Sequence, residues 1–105
     1  MAIEDSAATM SRLAFFADAI AACPEEAQAL KNVFLEPTPN DENPPTSELK
    51  LAITLLANKI TKNLLIEKNS HLAIEATIEE LAFGDSDAGK SAANALRWAS
   101  GHYYK

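Results

Sequence analysis

The side chains best suited to chemistry are Lys90 and Ser91, which follow the run Gly84-Asp85-Ser86-Asp87-Ala88-Gly89. An ammonium and a hydroxyl on adjacent residues, beside the uncrowded backbone of a glycine, can hold an anion and its metal counter-ion. A second set is Glu67, His71, Glu75 and Glu79. Spaced by four, the last three would come near one face of a continuous helix, where carboxylate and imidazole ligands suit a divalent metal. The paired Glu-x-x-His motifs of carboxylate-bridged iron bundles do not occur, however, and charges at helical spacing ordinarily face water. Cys23 precedes an expected helix start, a position that can make a thiol reactive. It has no basic neighbour and no second cysteine, so a small, half-buried residue at a helix junction is expected. No glycine-flanked nucleophile turn is present. The expectation is therefore no catalytic residue, no metal and no cofactor.

The stretch 84–91 fits G-x-x-x-x-G-K-[ST] and so resembles the phosphate-binding loop of P-loop nucleotide-binding proteins. The resemblance covers eight residues. It implies that Lys90 meets the β- and γ-phosphates and Ser91 the magnesium, with the backbone around Gly89 cradling the anion. Such a loop follows a buried strand, whereas Ile74-Glu75-Ala76-Thr77-Ile78-Glu79-Glu80-Leu81 has helical spacing and several charges. Asp85 and Asp87 also place negative charge where a polyphosphate would lie. The competing expectation is a helix end at Gly84, a polar turn, and an Asp or Ser cap on the next helix.

Five helices are expected to carry these residues. The first spans about 5–22, with Met10, Leu13, Phe16, Ala17 and Ile20 on one stripe, and ends before Pro24. Pro24 then opens a second helix, with Glu25 and Glu26 at its positive end and Ala27, Leu30, Val33 and Phe34 on its apolar face. Residues 36–46 hold four of the five prolines and no large apolar side chain, which makes them a loop. Fully extended, that loop reaches roughly 35 Å. The third helix, about 47–67, is striped by Leu49, Ile53, Leu56, Ile60 and Leu64. The fourth, about 70–83, carries Ile74, Ile78 and Leu81. The fifth, from Ser86 or Asp87 to about Ser100, carries Ala88, Ala92, Ala95, Leu96 and Ala99, with Gly101 as its end. The expected fold is all-α: residues 1–105 as a single compact bundle of four or five helices, with alanine-rich stripes permitting close approach.

Composition narrows the function classes. The chain has 105 residues, one cysteine and a formal net charge of −6. Nucleic acid and anionic membrane are thereby disfavoured as partners, and a disulfide framework is excluded. Ile20-Ala21-Ala22-Cys23 has the spacing of a lipidation box, but Glu4, Asp5 and Asp18 break the basic, apolar pattern that a leader requires. The expected location is the cytoplasm. Charge is also unevenly spread. Residues 1–48 hold nine acids and two bases, and residues 49–105 hold six acids and seven bases.

Two aromatic residues lie off the apolar stripes. At about 100° per residue, Phe15 points away from Leu13, Phe16 and Ile20, and Trp98 shares a face with Ser91 and Asn94 rather than with Leu96. Exposed aromatics beside small or polar residues are characteristic of interface hot spots. Phe15, Trp98, His102 and Tyr104 are therefore candidate contact residues, and Glu25 and Glu26 are candidates for docking a basic partner. The expected activity is protein–protein binding, as a regulator, inhibitor, immunity-type factor or assembly subunit, with self-association through Phe15 or Trp98 included. The alternative is nucleotide binding through Gly84, Gly89, Lys90 and Ser91.

Overall fold

The computed structural model describes the backbone of residues 2–36 and 47–103 and the side chains of residues 12–36 and 47–101. Five α-helices account for nearly all of it: α1 (Ala2–Ala22), α2 (Ala27–Leu35), α3 (Ser47–Glu67), α4 (Ser70–Ala82) and α5 (Asp87–Tyr103). No strand occurs among the described residues. The all-α bundle is therefore shown. The proline-rich loop falls outside the described residues except for Glu36, whose extended backbone (φ −82°, ψ 131°) closes α2.

Chain breaks follow local chemistry. Cys23 leaves the helical region (φ −139°, ψ 72°) because Pro24 follows it. Pro24 does not open α2 directly, as the sequence predicts; a 3₁₀ turn, Pro24–Glu26, intervenes. Its tightening is visible in the Glu26 N–H, which donates to the Cys23 carbonyl at 3.0 Å. At the α3–α4 corner Lys68 adopts φ 56°. Asn69 then caps α4, its side-chain oxygen accepting from the Leu72 N–H at 2.9 Å. α4 stops at Ala82, one residue short of expectation. Gly84 follows it without a positive φ, its N–H donating to the Leu81 carbonyl at 3.3 Å. Ser86 caps α5, as its Oγ accepts from the Gly89 N–H at 3.2 Å. α5 continues through Gly101, which therefore does not end it.

α3 lies at the centre, packed against each of the other four helices. Its stripe of Leu49, Ile53, Leu56 and Ile60 is buried, and meets Leu13, Phe16 and Ile20 of α1, Ile74 and Leu81 of α4, and Leu96 of α5 in one apolar cluster. Ala17, Ala21, Ala57, Ala73, Ala92 and Ala93 are buried among them, which lets the helix axes approach closely. The rings of Phe16 and Phe34, 5.2 Å apart and inclined at 57°, tie α1 to α2. Gln28 strengthens the α2–α3 seam by donating to Asn58 Oδ1 at 3.2 Å and Thr61 Oγ1 at 3.1 Å. Val33, expected on the apolar face of α2, is exposed, because Leu30, Phe34 and Leu35 make that contact instead.

Two polar side chains, Asn63 and Thr77, are buried between α3 and α4. The Asn63 amide donates to Thr77 Oγ1 at 3.0 Å and to Glu80 Oε1 at 3.1 Å, while the Thr77 hydroxyl donates to the Ala73 carbonyl at 2.8 Å. Lys62 Nζ donates to the same Glu80 carboxylate at 3.2 Å. The network fixes how α4 sits on α3, since a slip along either helix would strand the buried amide.

Candidate binding face

α1 and α5 pack side by side, and their outer edges enclose a groove of about 700 Å³. Leu13, Ala95 and Ala99 line its apolar part. Ala14, Phe15 and Asp18 flank it from α1, and Ser91, Asn94 and Trp98 from α5. Helical periodicity explains this sharing: Phe15 and Asp18 are three residues apart on α1, and on α5 Asn94 and Ala95 lie three and four residues after Ser91 and four and three before Trp98. Phe15 is 68% exposed and Trp98 80% exposed. Among the described residues of the lining, Asp18 is the one that carries charge. Charge-poor, aromatic-rich concavities of this kind resemble the centres of protein interfaces.

The two off-stripe aromatics identified from the sequence thus belong to one groove. Sequence periodicity placed Trp98 with Ser91 and Asn94, and the groove contains all three. Asp18 was not anticipated there; its signal was the i, i+3 relation to Phe15. His102 lies on α5, but its side chain, like all of Tyr104, is outside the described side chains. Glu25 and Glu26 are exposed on the 3₁₀ turn and do not line the groove.

The 84–91 stretch takes a different form from the loop it resembles. A helix, α4, precedes it, and α5 already includes Asp87 through Ser91, so only a few residues between the helices are free of helical structure. The Gly89 N–H, which an anion would need, is held by Ser86 Oγ, and the Lys90 N–H bonds the Ser86 carbonyl at 3.0 Å. Gly89 is buried against α4, with Leu81 beside it, while Lys90 and Ser91 are exposed. Ser91 faces the α1/α5 groove. The amides therefore serve as a helix cap and form no open cradle.

The remaining candidates are also located. His71 Nε2 and Glu75 Oε1 stand 2.9 Å apart as an i, i+4 pair on α4, whereas Glu67 belongs to α3, beyond the Lys68 corner. Among the described residues no group of three or more His, Cys, Asp and Glu is placed to hold a metal ion. Cys23, expected to be half-buried, is exposed, at the point where the chain leaves the helical conformation ahead of Pro24. No described helix is long and apolar enough to cross a membrane.

No protein-family model, curated protein or solved structure matches the chain.

Proposed function

We propose that this protein acts by binding another protein through the α1/α5 face, as a regulator, inhibitor, immunity-type factor or assembly subunit, and not by catalysis. The observation that carries this reading is the convergence of Phe15 and Trp98, both largely exposed, on a single groove. An exposed tryptophan contributes nothing to the core, yet it supplies a large, rigid contact surface at low entropic cost once a partner covers it. The acidic side chains concentrated in residues 1–48, with Glu25 and Glu26 exposed, suit a partner whose surface beyond the apolar centre is basic.

The test is affinity capture by the immobilised chain from the native host. A specifically retained protein, lost in Trp98→Ser and Phe15→Ser variants of unchanged helical content, is the expected result. Equal retention by the wild type and both variants contradicts the assignment of this face.

A further inference from the structure

We infer that the α1/α5 groove seats an arginine side chain of the partner protein, with its guanidinium held by the aromatic rings and Asp18. The inference rests on the binding reading above and names the chemistry by which this face recognises its partner.

The floor contributes little to that recognition. Leu13 and Ala99 are only 5% and 6% exposed, closed over by the packing of α1 on α5. Discrimination therefore falls to the side chains that stay exposed in the lining: the rings of Phe15 and Trp98, the Asp18 carboxylate, the Ser91 hydroxyl and the Asn94 amide. Their chemistry is one-sided. The rings present electron-rich faces, which attract a cation. The three polar side chains all carry acceptor oxygens. Among the described residues of the lining none is basic, and Arg12, Lys90 and Arg97 of the same two helices stand outside it.

A guanidinium answers all of these groups with one planar ion. It stacks on an aromatic face, pairs with a carboxylate and keeps further N–H donors for the remaining oxygens. Its apolar stem can lie along Ala14 and Ala95. A lysine ammonium is more strongly hydrated and has no plane to stack. Asp18 already interacts within the chain, but a carboxylate has several acceptor sites and can take a guanidinium as well. One anchored side chain also suits a groove of this size, since a few residues carry most of an interface's binding energy. The net charge of −6 draws a basic partner at long range.

Nuclear magnetic resonance titration of the isotope-labelled full chain with Nα-acetyl-arginine methylamide tests the proposal. The signals to follow are the Trp98 indole N–H and the Asn94 and Ala95 amides. Saturable shifts are expected, with a Kd on the order of millimolar that salt weakens. The citrulline analogue, which keeps the shape without the charge, should shift nothing at the same concentrations. The lysine analogue should bind several-fold more weakly. Trp98→Ser should abolish the shifts at Asn94 and Ala95, and Asp18→Asn should raise the Kd about five-fold. Absence of saturable shifts overturns the proposal, as does equal binding of the citrulline or lysine analogue, or a Kd that neither variant changes. If the arginine probe fails while a host protein is still retained through Trp98, the guanidinium is removed and the binding reading survives. If no protein is retained either, both fall.

Discussion

Replacing Thr77 by valine deletes one buried hydroxyl with little change in volume, and the α3–α4 network determines what that costs. Thr77 accepts one of the two N–H groups of the buried Asn63 amide; the other goes to Glu80. In Thr77→Val the first N–H faces a methyl group with no water to replace its partner, a penalty of about 1–3 kcal/mol. Asn63→Leu works differently. The Thr77 hydroxyl still donates to the Ala73 carbonyl, and Glu80 keeps Lys62 and solvent, so no donor is orphaned and the loss is about 1–2 kcal/mol. In the double variant both partners are apolar, and the penalty for an orphaned amide disappears. The pair should therefore cost less than the sum of its parts by about 1 kcal/mol or more. Urea unfolding followed by far-ultraviolet circular dichroism measures all four corners of the cycle. At about 4–8 °C per kcal/mol for a domain of this size, thermal melting should lower the Thr77→Val midpoint by several degrees. Additivity within about 0.3 kcal/mol would refute the coupling inferred from the geometry.

The other expectations are narrower. The hydrogen bond from Asn63 holds the Glu80 carboxyl below its ordinary value of 4.5; burial opposes this, and Lys62 and Lys59 assist it. A carboxylate with a depressed folded pKa contributes stability fully above its unfolded pKa and loses it as pH falls through the folded value. Glu80→Gln should thus flatten the acid limb of a pH–stability curve, modestly because the side chain is 40% exposed; identical acid limbs would contradict this. Ser86→Ala removes the α5 cap and should cost about 1 kcal/mol, read as a lower unfolding midpoint. Gly89→Ala should stabilise the chain by about 0.5–1 kcal/mol, read as a raised midpoint, because the residue is helical and a Cβ there would meet Leu81 at ordinary contact distances of 3.5 and 3.7 Å. A lowered midpoint would show that the space is tighter than this. Titration calorimetry with Mg-ATP should give no saturable heat, whereas binding abolished by Lys90→Ala would restore the nucleotide-loop alternative.

Periodicity and punctuation made the helices legible. The stripes of α3 and α5 bury nearly as spaced, and Pro24, the Lys68-Asn69-Ser70 break and Gly84 each mark a chain break. The misplaced ends have local causes. Gly101 stays helical because glycine permits a helix end without imposing one, and the first turn after Pro24 closes as 3₁₀ by an i, i+3 hydrogen bond. Asn63 and Thr77 were not recognisable as core residues, since a polar residue on an apolar stripe gains its partner only through the register of two helices. The candidate site was half legible. Phe15 and Trp98 stood out as surplus aromatics on separate helices, but their shared groove depends on how α1 packs against α5, which no one-dimensional period encodes. Conversely, the most conspicuous motif, 84–91, is a helix cap whose glycine sits against α4.

Trp98 is the one tryptophan of the chain, so its fluorescence, excited selectively over the two tyrosines, reports on the groove without labels. With 80% of its surface exposed, the indole of the dilute protein should emit as in water. Adding a protein retained through this face should shift the emission to the blue as the ring is covered, and Phe15→Ser should weaken that binding. Water-like emission at saturating partner, in a wild-type chain of intact helical content, would contradict the assignment of a binding role to the α1/α5 groove.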